Sequence, residues 1–269
     1  VENATNDPFD LAALDDALAE TPFAGKLRFL PAIHSTNTLA MQEADAGAPA
    51  GLVCFADEQT AGRGRAAHAW QSPPGSGLYV SVLLRPKIAP ADVLWLSLAA
   101  GLAVREAVQR VTSLEADLRW PNDLLLGTKK FCGILTELNA EVTRVRHLVV
   151  GIGINVHQSE FPEELSAQAT SLHLETGKHW PRQEILVALL EELHRETLAL
   201  ETPGNLASAT RSIRDRLERS STWIRGKRVQ VDESGGYSGV TAGLDARGFL
   251  LVETAQGPRA VLSGGVRAL

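Results

Sequence analysis

Apolar residues recur along the chain with two different periods, and their alternation divides it into helices and strands. Leu11, Leu14 and Leu18 stand at helical spacing and Thr21-Pro22 closes the run, which predicts one short helix over 10–20 ahead of a strand over 26–33. That strand stops at His34-Ser35-Thr36-Asn37, where Ser35 is placed to cap a helix over 38–46. A helix start of this kind leaves free amide donors at the end of the strand. Two apolar runs, 51–56 and 77–84, read as strands and enclose a long polar loop. Pro90 then opens a helical stretch to about residue 111, with Leu94, Leu98, Leu102 and Val108 on its buried face.

Short strands at 117–120 and 123–126 flank Pro121-Asn122, and the Gly127-Thr128 turn leads into a strand at 130–138, completing a hairpin. The stretch 146–154 is Val-rich and apolar almost throughout, the pattern of a central strand covered on both faces, and it ends in Asn155. An Asn there needs amide partners, which a ligand and its neighbours supply equally well. After two ambiguous segments, 161–165 and 171–175, come amphipathic helices at 181–200 and 206–219. From Trp223 the period shortens to two: Val229 and Val231 alternate with polar residues, and Gly-containing turns separate strands at 238–244, 249–254 and 260–262. Five strands in so short a tract suggest a small SH3-like barrel, so the chain divides into 1–221 and 222–269.

Composition and charge narrow the partners. The 269 residues carry a net charge of −6, which argues against a general nucleic-acid binder. The basic loop is therefore a local device. Within it Gly62 and Gly64 let backbone amides approach a ligand while Arg63, Arg65 and His68 supply charge, an arrangement suited to an anion. Cys54 and Cys132 lack metal-type or disulfide-framework spacing, which fits a reducing cytoplasm. The apolar run 93–104 contains Ser97 and Gly101 and is too short to span a bilayer. No leader pattern opens the chain, so secretion is not expected.

Three segments stand in order: Ser35-Thr36-Asn37; Gln59-Thr60-Ala61-Gly62-Arg63-Gly64-Arg65 with Trp70; and Arg119-Trp120-Pro121-Asn122-Asp123 followed by Lys130-Phe131-Cys132-Gly133-Ile134-Leu135-Thr136-Glu137. With Gly151-Ile152-Gly153-Ile154-Asn155 and Ser263-Gly264-Gly265-Val266, they closely resemble the biotin protein ligases, also called biotin–[acetyl-CoA-carboxylase] ligases. Their joint occurrence carries the resemblance, since each motif alone is weak. It extends from about residue 26 to the C-terminus.

The resemblance implies an α+β fold: a mixed-sheet catalytic domain followed by the SH3-like β-barrel. It also implies a cytoplasmic, ATP-dependent ligase that makes biotinyl-5′-AMP from biotin and ATP, with Mg²⁺, and passes biotin to a lysine of a biotin carboxyl carrier protein domain. Neither DNA nor membrane is an expected partner, and a side-by-side homodimer is allowed but not demanded. Some 25 residues with one helix do not hold the winged helix-turn-helix of the repressor members, which points to the short, non-regulatory kind.

Residue by residue, the resemblance gives Lys130, Arg63 and Arg65 the catalytic task of neutralising two anions. Biotin is expected against Ser35, Thr36, Asn37 and Gln59, against Gly62, Arg63, Gly64 and Arg65 of the loop, and against Lys130, Gly133 and Leu135. ATP or the adenylate is expected against Arg63, Arg65, Trp70, Asn122, Lys130 and Asn155, with Asp123 either a Mg²⁺ ligand or a turn residue. Ala67 and His68 depart from the family, which often has a second Gly-Arg pair there. Two rival readings stay open: lipoate or octanoate transfer with Cys132 as thioester nucleophile, and a non-catalytic sensor of biotin or nucleotide.

Overall fold

The computed structural model describes residues 8–65, 68–233 and 235–269; the family departure at Ala67 lies outside them. The first helix, α1 (Leu11–Ala17), is capped by the Asp10 carboxylate and buries Leu14. Strands β1 (Leu27–Ile33) and β2 (Val53–Gln59) pair in parallel, joined by α2 (Thr36–Asp45). Ser35 caps α2 as expected, accepting from Thr38 N, but the helix starts at Thr36 because the turn it caps is already helical.

Strand β3 (Gly77–Leu84) is buried throughout, and a 3₁₀ turn at Pro90–Asp92 opens α3 (Val93–Thr112). Four antiparallel strands follow: β4 (Asp117–Arg119), β5 (Asp123–Leu126), β6 (Lys129–Ala140) and β7 (Val145–Asn155). The sheet runs β1-β2-β3-β7-β6-β5-β4. It is mixed, with β1–β2 its one parallel pair. The apolar runs 77–84 and 146–154 become its centre because both faces are covered. Helix α2 lies on one face, its Ala40 and Ala44 packed on Cys54, Leu83 and Val149. The opposite face takes α3 and α6 (Arg182–Glu201).

The ambiguous segments are the short helices α4 (Glu163–Ser166) and α5 (Leu172–Thr176), and α7 (Leu206–Ser220) precedes the C-terminal tract. There β8 (Arg225–Val231), β9 (Tyr237–Leu244), β10 (Leu250–Thr254), β11 (Gly257–Val261) and β12 (Val266–Ala268) form a separate antiparallel sheet in the order β11-β10-β9-β8-β12, the small barrel-like unit expected. Its core is continuous with that of the large sheet. Trp120 Nε1 donates to Gly248 O at 2.9 Å across the junction. Among the described residues no helix is long and apolar enough to cross a membrane.

Candidate active site

The floor of the site follows from strand register. On the face beneath α2, Gly133 of β6 stands opposite Gly153 of β7 on one side and Asp123 of β5 on the other, and the next row pairs Leu135 with Gly151 and Gly151 with Ser81. Three glycines in two rows leave a trough. A Cβ at Gly151 would fall 2.1 Å from Asn37 Oδ1, and one at Gly153 would fall 2.5 Å from Trp70 Nε1, so neighbouring groups already use the space these glycines leave. The trough forms a solvent-open groove lined by Ser35, Thr36, Gln59, Lys130, Gly133 and Gly151.

A register shift between Leu124 and Leu125 places Lys130 on this face. Side chains of a plain strand repeat every second residue, so positions 130 and 133 would point to opposite faces. The bulge reverses that relation. A Cβ on Gly133 would sit 3.1 Å from Lys130 Nζ. The backbone of Lys130 is pinned as well, its N–H donating to Gln168 O at 2.7 Å and its carbonyl accepting from Thr170 N at 2.9 Å.

The wall at the start of α2 is a closed hydrogen-bond network. Gln59 Oε1 accepts from Thr36 N at 2.9 Å and Thr36 Oγ1 at 3.0 Å, while Gln59 Nε2 donates to Ser72 Oγ at 3.0 Å. Behind them Ser81 Oγ, fully buried, lies 2.8 Å from Thr36 Oγ1 and 2.6 Å from Asn37 Oδ1. Asn37 Nδ2 donates to Glu137 Oε2 at 2.9 Å and Leu135 O at 3.3 Å. Buried polar groups that are fully partnered hold a fixed shape. This wall is preorganised.

The loop folds into a narrow hairpin over the groove: Gly64 N donates to His68 O at 2.7 Å, Trp70 N donates to Gly62 O at 2.9 Å, and Arg63 bridges Ala69. Gly62 is needed for this fold-back, because a Cβ there would lie 2.5 Å from Trp70 O. Trp70 lays its indole over the Gly133–Gly153 pair, with Lys130 Nζ 5.2 Å from the ring centroid. His68 is exposed.

The two loop arginines separate. Arg65 donates to Asn122 Oδ1 at 3.0 Å, beside Lys130, whose ammonium lies 2.6 Å from Asp123 Oδ1. Arg119 holds the other oxygen, Asp123 Oδ2, at 2.7 Å. Burial raises the Asp123 pKa, but Lys130 and Arg119 outweigh it and hold the carboxyl below the ordinary carboxylate value. Arg63 instead reaches Glu137, with NH2 2.9 Å from Oε2 and 3.2 Å from Oε1. Gly133 and Glu137 are four residues apart on β6, about 13 Å at the rise of a strand.

Ser35, Thr36, Asn37, Gln59, Arg63, Gly64, Arg65, Trp70, Asn122, Lys130, Gly133 and Leu135 thus come together around one groove. Three expected residues lie outside that set: Gly62, which the hairpin itself requires, Asn155 and Asp123. Asn155 is 4 % exposed, its Nδ2 donating to Thr170 O at 3.0 Å and its Oδ1 accepting from Gln158 Nε2 at 3.1 Å, so it ties down the segment that holds Lys130. Asp123 has both oxygens on cations, Lys130 and Arg119, which fix it at the turn; a Mg²⁺ held chiefly by phosphate oxygens and water would need no more than one such carboxylate from the protein. Ser72, Ser81 and Glu137 were not expected at the site. Ser81 had one signal, a lone hydroxyl within an apolar strand.

Comparison with known proteins agrees with this geometry. The biotin/lipoate A/B protein ligase family model matches residues 29–155. The chain is 35 % identical over 240 residues to the bifunctional ligase/repressor BirA of Bacillus subtilis, covering 87 % of this chain and 71 % of that protein. It is 36 % identical over 239 residues to the biotin–[acetyl-CoA-carboxylase] ligase of Mycobacterium tuberculosis, covering 86 % and 84 %. Among solved structures, the biotin protein ligase from Aquifex aeolicus in complex with biotin and ATP superposes with a TM-score of 0.79 at 33 % identity, over 91 % of this chain and 100 % of that one. A shared fold thus accompanies sequence identity along most of the chain, which belongs to the biotin protein ligases of the biotin/lipoate A/B protein ligase family.

Proposed function

We propose that the protein activates biotin with ATP as biotinyl-5′-AMP and transfers the biotinyl group to a lysine of a biotin carboxyl carrier protein domain. The observation that carries this reading is the polarity of the groove: a neutral hydrogen-bonding wall at one end, Arg65 and Lys130 at the other, and an indole lying between. Biotin has the matching form. Its ureido ring meets the wall of Ser35, Thr36 and Gln59, its apolar chain crosses the glycine trough, and its carboxylate reaches Lys130.

Adenylation brings two anions into contact, so the residues must lower their repulsion and align them. Lys130, paired with Asp123 and then with the arriving anions, acts as an electrostatic clamp. Arg65, anchored on Asn122, supplies the second charge. A carboxylate oxygen attacks the α-phosphorus and pyrophosphate leaves. The carrier's lysine, arriving as a free amine, then attacks the acyl carbon, and AMP departs with the bonding electrons. Trp70 and the loop shield the anhydride from water in the interval. Mg²⁺ arriving with ATP would supply further positive charge at the phosphates.

Thiol chemistry at Cys132 is disfavoured by its full burial, which also pushes its pKa far up. The buried, free Cys54 and Cys132 support a reducing, cytoplasmic setting. We take 222–269 as a second domain that braces the Trp120 turn. Incubating a carrier domain with the protein, biotin, ATP and Mg²⁺ should add one biotinyl group by mass, with AMP and pyrophosphate released. A carrier that stays unmodified would refute the ligase reading, and acylation without ATP would replace it with acyl transfer.

A further inference from the structure

Arg63 and Arg65 are separated by a single residue, yet they serve opposite ends of the groove. Arg63 turns away from Lys130 and places its NH2 on both oxygens of Glu137. The oxygen that takes it more closely, Oε2, also accepts Asn37 Nδ2 at 2.9 Å. One carboxylate therefore joins the roof of the groove to its polar wall. Asn37 in turn leans on buried Ser81 through Oδ1, so the contact continues into the centre of the sheet.

We propose that Glu137 is a positioning residue for the ring end of the ligand: by receiving Arg63 it seats the Gly-Arg-Gly-Arg hairpin over the wall, and by receiving Asn37 it keeps that wall in register. The inference rests on reading the groove as a biotin and ATP site. It divides the labour of the loop. Arg63 serves the hairpin through Glu137, while Arg65 and Lys130 serve the anions at the Asn122–Asp123 end. A guanidinium on a carboxylate is not at the same time a phosphate ligand, and Glu137 lies on the strand where a shift of the loop alone cannot carry it along. The side chains of Arg63 and Glu137 are 46 % and 28 % exposed, so the tether is weak enough to open for ligand entry.

A double-mutant cycle tests this. Glu137→Gln keeps a hydrogen-bond acceptor for Asn37 and removes the ion pair; Arg63→Gln removes it from the other side. Calorimetric titration of biotin without nucleotide should show each single variant binding about two- to fivefold more weakly, the upper part of the range an exposed ion pair gives, with the double variant no weaker than either. The KM for ATP of Glu137→Gln should move less than about twofold. Additive losses of biotin affinity would overturn the proposal. So would an Arg63→Gln variant that binds biotin like wild type but loses ATP, because its guanidinium would then belong to the phosphates. Wild-type protein that bound no biotin would instead overturn the functional reading itself, an outcome seen before any variant is compared.

Discussion

Replacing Asp123 with Asn removes the negative charge around which Lys130 and Arg119 are gathered. Both cations lie within 2.7 Å of its oxygens, and the carboxylate side chain is 15 % exposed. Two unit charges at about 4 Å attract by about 4 kcal/mol at an effective dielectric of 20, and removing one partner of a buried pair costs about 3–5 kcal/mol. Lys130 and Arg119 keep 29 % and 26 % of their side-chain surface in water, so solvent takes over part of that role. A loss of about 2 kcal/mol at pH 7 follows, or a melting temperature lower by about 3.5 °C for a chain of this size. The pH dependence fixes the cause. The folded-state pKa lies below the ordinary value of 3.8, so the stabilisation is fully present above that value and is lost as pH falls through the folded pKa. Scanning calorimetry of both proteins should therefore show a gap that holds from pH 7 to 4 and narrows only below. Melting temperatures within about 1 °C at pH 7, or a gap already closed at pH 5, would refute the reasoning.

Lys130→Ala should lower pyrophosphate release by about 10²- to 10³-fold while the protein still melts cooperatively, the loss expected for one preorganised charge at the reacting centre; near-normal release would remove Lys130 from that role. Gly153→Ala puts a methyl 2.5 Å from Trp70 Nε1, and since β7 is bonded on both sides the indole must yield. Several-fold more free biotinyl-AMP should then appear in solution, and an unchanged amount would show that Trp70 is not a seal. Cys132 is fully buried with its pKa pushed far up, and burial pushes Cys54 up to about 11, so a thiol reagent at pH 8 should modify neither until the protein is unfolded. Rapid stoichiometric labelling of the native protein would contradict the burial.

The sheet was legible because its centre is uniform: the residues of β3 and almost all of β7 are buried, and unbroken apolar runs report that directly. The groove was legible because its residues stand in short motifs whose joint occurrence is specific, and the structure gathers them around one trough. Long-range partners were not. Ser81 meets Thr36 and Asn37 from 45 and 44 residues away, and Glu137 meets Arg63 from 74, separations that no local period encodes. Asn155 is the instructive case. Its position at the end of a buried strand required amide partners without naming them, and Thr170 and Gln158 supply them from the segment that follows. The β6 bulge is equally silent in sequence, although without it Lys130 would face away from the groove.

Adjacent arginines in a glycine-containing loop look like one cluster of charge, and a chain read linearly gives no reason to separate them. Their Cα atoms lie at most about 7 Å apart. Yet Arg65 is bonded to residue 122 on the turn before β5 and Arg63 to residue 137 far along β6, so the two side chains diverge from one hairpin to different partners on the sheet. Each end offers what its arginine lacks. At one end Asp123 is already neutralised by Lys130 and Arg119, so Arg65 settles on a neutral amide and keeps its charge available for an incoming anion. At the other Glu137 is a carboxylate with no other cation within ion-pair reach among the described residues, and it pairs with Arg63. The distribution of acidic partners on the sheet, more than the spacing of the arginines, therefore decides which loop charge is left for chemistry.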